Sequence, residues 1–396
     1  MDKQSRFVIK EVKVLAENQT YRNGFIKVED GKITEVGDMT HYKEGEGMTV
    51  YSFPEHYNVI PGLIDLHIHG VKGSDTMDNT AEAIKNIAMH LPKEGTTSFL
   101  ATTITQAPEQ IECALTNVAQ YTKSENQEGL AEVLGVHLEG PFISKKRAGA
   151  QPAEYIEAPN LEQFKSWQTA ADGLIKVVTL APEEENGLAF VRHLKATNVI
   201  ASIGHSDATY DIIDQAIDAG VTHVTHLFNG MRGFHHREPG VVGTALARDK
   251  LMVEMIVDGI HIHPEAVKAV YKGKTPEKII IITDSMRAKQ LPAGTYELGG
   301  QEVFVQEGKA LLQDGTLAGS VLKMNEAIKN MMNFTGCTLE ETIKMAAENP
   351  AKQLNAFDRI GSIKKGKDAD LVVLDDAQNV VMTFCKGKLA YTGERG

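Results

Sequence analysis

The stretch NVIASIGHSDATYDIIDQAIDAGVTHVTHLFN, Asn198–Asn229, spells out one strand–helix–strand unit. The run around Val199–Ile203 is apolar and β-branched, and it stops at Gly204–His205. Ser206 or Asp207 can cap a helix whose Ile212, Ile213, Ala216 and Ile217 share one face, and Gly220 closes it. A second apolar run then ends at His226. Buried strands separated by an amphipathic helix indicate a parallel pair covered by that helix.

The same alternation extends in both directions. Apolar runs recur at YNVIPGLIDLHIH, TTSFLATTIT, EVLGVHLEG and LIKVVTLAPE before this unit, and at LMVEMIVDG and KIIIITDS after it. Helical patterns lie between them, as in NTAEAIKNIAMHLPKEG, where Ile84, Ile87, Ala88 and Leu91 form the apolar stripe. Eight strands alternating with helices fit a (β/α)8 barrel better than an open doubly wound sheet, which stands as the alternative until the motifs are weighed. After the eighth run, GTYELGGQEVFVQEGKALLQDGTLAG reads as an inserted hairpin.

The two ends of the chain have a different texture. RFVIKEVKVLAE and NGFIKVEDGKITEVGD read as strands, with EDGK as a hairpin turn, and NVVMTFCKGKLAYTGE is similar near the C-terminus. Neither end has enough apolar faces to stand alone. The expected fold is therefore α/β: a TIM-like barrel over residues 59–358, with a small β-sandwich built from both termini, 1–58 plus 359–396.

Composition narrows the function classes. Of 396 residues, 42% are hydrophobic and 24% charged, which suits a globular chain, and the net charge of −12 argues against nucleic acid or an anionic membrane as partner. Cys113, Cys337 and Cys385 form no C-x-x-C pair, so neither a disulfide framework nor a cysteine zinc site is expected. The first residues carry no apolar leader, and no apolar run reaches the length of a membrane span. A cytoplasmic setting is the expectation.

Catalytic residues of such barrels gather where the strands end. Those ends carry His67 and His69, then Glu139, His205, His226 and Asp284. Neutral imidazoles and a carboxylate are ligands for Zn²⁺ or Fe²⁺, and a further carboxylate can take a proton from water whose pKa the metal lowers. A lone strand histidine is more often a structural hydrogen-bonder, and Asp284 could simply cap a helix. Recurrence of such residues at successive strand ends favours the metal site, with Glu139 bridging two ions. His137 could equally support a ligand or be one, His223 is read as structural, and the cluster Arg232, His235, His236, Arg237 suggests an anion.

The phrases PGLIDLHIHG, GTTSFLATTIT, GVHLEGPF, IGHSDA, THLFNGM, REPG, DGIHIHP and ITDSM resemble the N-acetylglucosamine-6-phosphate deacetylase family of the amidohydrolase superfamily. The resemblance implies hydrolysis of the acetamide of N-acetyl-D-glucosamine 6-phosphate, with a related phosphorylated N-acetylhexosamine such as N-acetylgalactosamine 6-phosphate as the alternative. It implies Glu139, His205 and His226 as the most constant metal ligands and Asp284 as general base. Because His67 and His69 are both kept, it implies two divalent ions per subunit. Asn229 and Gly230 match contacts to the sugar phosphate, Arg237 a phosphate-binding arginine, and His261 a further polar contact. Gln151 stands where many members have a carbonyl-polarising histidine, and Met286 is expected against the acetyl methyl. A homodimer is implied as well. Other amidohydrolase reactions, or a barrel kept as a non-enzymatic module, are the rivals.

Overall fold

In the computed structural model, which describes residues 6–393, all eight apolar runs become strands. They are Leu63–Ile68, Thr96–Thr102, Glu132–Glu139, Ile175–Leu180, Ile200–Ile203, His223–Val224, Met252–Ile256 and Ile279–Ile282. Each pairs in parallel with its neighbours in chain order. Helices such as Ala81–His90 cover the outside, burying Ala83, Ile84, Ile87 and Ala88 against the strands. The architecture is a TIM-like barrel.

The first and eighth strands share no regular ladder. They meet through one isolated bridge, Ile68–Ser285, and through the Asp284 N–H donating to the His67 carbonyl at 2.8 Å. A side chain fills the rest of the seam. Asp65, fully buried, accepts from the Thr283 N–H at 3.2 Å, the Thr283 hydroxyl at 2.5 Å and the His67 N–H at 3.3 Å. Its carboxylate takes the place of ladder bonds and fixes the spacing between the strands that carry His67 and Asp284.

The barrel interior is polar. The His67 side chain from the first strand reaches Glu254 of the seventh, and His137 of the third reaches the Leu66 carbonyl of the first. Strands that are not neighbours can touch only across the lumen, so these groups lie inside it. A carbonyl only accepts, so His137 donates through Nδ1 and accepts at Nε2 from the Thr179 hydroxyl, 2.7 Å away. Thr225 and Ser202 extend the chain at 2.7 and 2.6 Å. Burial drives the His137 pKa down to about 3, which keeps the ring neutral and suited to that role.

The termini form one further sheet, in which Leu371–Leu374 and Val380–Cys385 join Phe7–Leu15 and its neighbours by way of Asn58–Pro61. Phe7 and Phe384 stack at 4.5 Å although two strands separate theirs in the ladder. A flat sheet would hold those strands about 14 Å apart, so this one folds over its own core, as a sandwich does. Positive φ at Glu11 and the register shifts beside it mark the bulge that bends Phe7–Leu15. The EDGK turn has positive φ at both Asp30 and Gly31, the signature of a type I′ hairpin.

Three local features differ from the sequence reading. Asn58–Pro61 pairs in the terminal sheet, so we propose that the chain crosses into the barrel at Gly62; 1–5 and 394–396 of the expected terminal domain lie outside the described residues. The helix after His205 starts at Tyr210 with Thr209 before it, because the Asp207 carboxylate is taken by Arg147 and Arg232. The insertion is a three-stranded antiparallel sheet, Gly294–Leu298, Gln301–Gln306 and Lys309–Leu311. Among the described residues no helix is long and apolar enough to cross a membrane.

Replacing Asp65 with Asn leaves one oxygen for the two N–H groups but turns an amide N–H toward the Thr283 hydroxyl, which loses its acceptor. Each buried group left unpaired costs about 1–3 kcal/mol, so the unfolding midpoint of metal-stripped protein should fall in calorimetry. An unchanged midpoint would show that the seam holds without the carboxylate.

Candidate active site

Glu139 ends the third strand with both carboxylate oxygens inside a ring of imidazoles. Oε1 lies 3.0 Å from His226 Nε2, 3.3 Å from His205 Nε2 and 3.4 Å from His67 Nε2, and Oε2 lies 3.3 Å from His69 Nε2. Asp284 Oδ1 closes the group at 3.2 Å from His69 and 3.4 Å from His67. All six residues are buried. The strand-end residues singled out in the sequence therefore converge on one point.

Backbone geometry aims three of them. His205, His226 and Asp284 have φ of 47°, 32° and 48°, in the left-handed region that non-glycine residues seldom occupy. Their surroundings hold them there: the His205 carbonyl accepts from Ser144 N–H, the His226 N–H donates to Glu254, and the Asp284 carbonyl accepts from Ser320 N–H. Gly230 backs His205, since a Cβ there would sit 2.9 Å from its Nδ1.

The ring nitrogens are assigned by their partners. His205 Nδ1 donates to the Arg147 carbonyl at 2.8 Å, which leaves Nε2 as a lone pair facing Glu139. Arg147 is clamped by Asp207, which also binds Arg232. His67 Nδ1 donates to Glu254 at 3.1 Å, so its Nε2 likewise faces the centre.

The electrostatics favour a cation. Burial would lower the His67 and His69 pKa values, but Glu139 and Asp284 outweigh it, raising His67 well above its usual value and His69 to about 9. Burial is outweighed in the other direction by His67, His205 and His226 at Glu139 and by His67 and His69 at Asp284, so both carboxyls are held below their usual values. A field that would keep protons on buried imidazoles is also one that attracts a metal ion. Two donor groups share Glu139: His67 with His69, and His205 with His226. Among the described residues His67 Nε2 has no hydrogen-bond partner, and it points between the two carboxylates. The donor set fits divalent metal.

The remaining expected residues divide. His69, Glu139, His205, His226 and Asp284 line one cavity together with Gln151, Asn229, Gly230 and His261. His261 Nδ1 donates to Asp258 at 2.6 Å. Gln151 accepts from Thr105 N–H at its oxygen and donates to Glu139 at 2.8 Å, so its amide is oriented toward the carboxylate. Ile104, Leu298 and Leu317 supply the apolar side of the cavity. Met286 does not line it; it is fully buried behind Gly319, in the cluster with Ile104 and Leu298. Arg237 does not line it either, being exposed on the loop that also carries exposed Phe234.

Two residues escaped the sequence reading of the site. Glu254, in the middle of the seventh strand, bonds His67, His223 and the His226 backbone. Its signal was a lone carboxylate inside an otherwise apolar run. Thr105, which orients Gln151 through its backbone, leaves no side-chain signal at all.

Comparison with known proteins agrees with this geometry. The N-acetylglucosamine-6-phosphate deacetylase of Bacillus subtilis (strain 168) is 50% identical over 385 residues, 97% of each chain. The N-acetylgalactosamine-6-phosphate deacetylase of Escherichia coli O157:H7 is 39% identical, over 83% of this chain and 87% of its own. The structure of a mutant N-acetyl-D-glucosamine-6-phosphate deacetylase from Mycobacterium smegmatis, in complex with N-acetyl-D-glucosamine 6-phosphate, superposes with a TM-score of 0.91 at 29% identity. That match covers 98% of this chain and 100% of the other. Residues 58–390 match the amidohydrolase family, and with a barrel whose strand ends converge on a buried carboxylate, this chain belongs to that family.

Proposed function

We propose that this chain hydrolyses the acetamide of N-acetyl-D-glucosamine 6-phosphate, giving glucosamine 6-phosphate and acetate. The observation that carries the reading is 50% identity over 97% of both chains to the Bacillus subtilis deacetylase of that substrate. The galactosamine isomer is less favoured, since the relative named for it is 39% identical over a shorter span.

His67, His69, Glu139, His205 and His226 would hold two divalent ions, Zn²⁺ or Fe²⁺, with Glu139 common to both sets. When bound, such ions polarise the acetyl carbonyl and lower the pKa of the attacking water. Asp284 is the proton carrier. Held below its usual pKa, it is ionised at neutral pH, takes the proton of the attacking water and passes it to the departing amine nitrogen. That transfer avoids expulsion of an amide anion. Gln151 steadies Glu139, while His261, Asn229 and the Gly230 backbone line the same cavity and would contact the sugar. Ile104, Leu298 and Leu317 suit the acetyl methyl, the part first assigned to Met286.

Arg237 is the phosphate ligand, supplied across a homodimer. Its exposure outside the lining of its own cavity and the exposed Phe234 on the same loop support that arrangement. Three unpaired cysteines support a cytoplasmic location.

Asp284→Asn should lower turnover by about 10²–10⁴-fold with metal content near wild type; near-wild-type turnover would remove the proton-carrier role. In an acetate-release assay over phosphorylated and free N-acetyl sugars, N-acetylglucosamine 6-phosphate should be the best substrate. Arg237→Ala should raise KM for the phosphorylated sugars and leave that for the free sugars unchanged. At substrate concentrations well below the raised KM, co-expressed Arg237→Ala and Asp284→Asn subunits should show more activity than either variant alone, because one site of the mixed dimer is intact. A mixture as inactive as its parts would place Arg237 within its own subunit's site or outside catalysis.

A further inference from the structure

The seventh barrel strand, Met252–Ile256, buries Glu254 with no exposed surface. Oε2 accepts from His67 Nδ1–H at 3.1 Å and from the His226 backbone N–H at 3.3 Å, and Oε1 accepts from His223 Nε2–H at 3.1 Å. Among the described residues no lysine or arginine pairs with it. A buried carboxylate satisfied only by imidazoles and a backbone N–H, with no permanent cation, is costly unless a positive charge lies close by.

We propose that Glu254 is the positioning residue of the metal site that contains His67, and that His223 serves it as an anchor. The inference rests on the reading of His67 and His69 as ligands. The argument is geometric. His67 can offer Nε2 as a lone pair only if its proton sits on Nδ1, and Glu254 accepts that proton's hydrogen bond. The carboxylate fixes ring tautomer and ring plane together, and it makes the imidazole a stronger donor toward a cation. The same Oε2 also holds the backbone of His226, so one carboxylate braces a ligand from each half of the centre. His223, from the sixth strand, keeps the carboxylate from rotating away. A structural acid would need none of this convergence.

The test is Zn²⁺ titration of chelator-stripped protein against a competing chromophoric chelator, with metal analysis after desalting. Wild type should take two tight equivalents per subunit. Glu254→Gln should keep one and bind the other about 10–100-fold more weakly. In a His67→Ala background, which lacks the imidazole, adding Glu254→Gln should leave the remaining affinity unchanged. Two tight equivalents in Glu254→Gln, or an equal loss with and without His67, would overturn the inference. A single equivalent in wild type would instead overturn the two-metal reading, and this inference with it. Should Glu254→Gln not fold, His223→Phe, which removes only the anchor, decides the matter. A weakened second equivalent supports the inference, and an unchanged one overturns it.

Discussion

The structure turns on negative charge buried without a permanently charged partner. Glu139, Glu254 and Asp284 are all nearly or fully buried, and their ion-pair partners among the described residues are imidazoles rather than lysines or arginines. Transferring a carboxylate into a protein interior is strongly unfavourable unless it is paired or binds a metal. Elsewhere the chain solves that problem with an ordinary cation, as where the fully buried Glu94 and Lys289 meet at 2.6 Å. At the strand ends it does not. The fold tolerates that arrangement because a divalent ion can supply the missing charge, and the left-handed residues His205, His226 and Asp284 are aimed accordingly.

That constraint also explains the interior of the barrel. Such barrels are commonly filled by layers of branched apolar side chains. Here His137, Thr179, Thr225 and Ser202 form a hydrogen-bonded chain, next to His223 and Glu254. Every donor position in the chain is decided by one carbonyl, Leu66 O, which requires the proton on His137 Nδ1. A network satisfied in only one sense resists rearrangement. The polar core therefore fixes the orientation of the groups just above it more firmly than apolar packing alone would.

Much of this was legible in the sequence. Hydrophobic runs reported the eight strands, and a polar residue ending a run reported each member of the centre, because strand ends lie at one mouth of the barrel. The rest depended on partners that periodicity does not encode. The apolar run through Asn58–Pro61 continues into Leu63–Ile68, and only pairing with Leu371–Leu374 shows that the two pieces belong to different sheets. Asp207 looked free to cap a helix until two arginines claimed it. Met286 sits two residues after Asp284, yet Gly319 intervenes between it and the cavity. Glu254 lies within its strand rather than at its end, below the level at which a search of strand ends looks.

The ring-nitrogen assignments give the centre a further order. Each pair of imidazoles contains one ring anchored at Nδ1 and one whose Nδ1 finds no partner among the described residues: His67 with His69, and His205 with His226. The anchors differ in kind. His67 leans on a charged side chain, whereas His205 leans on the Arg147 carbonyl, whose place is set by the Asp207 clamp and by the absence of a side chain at Gly230. A backbone carbonyl cannot be removed by a single substitution; a carboxylate can. The His205 anchor is thus built into the path of the chain, while the His67 anchor depends on one residue of the seventh strand. On the two-metal proposal, a substitution that removes a single anchor therefore acts first on the His67 side, leaving Glu139, His205 and His226 as the donor set that persists.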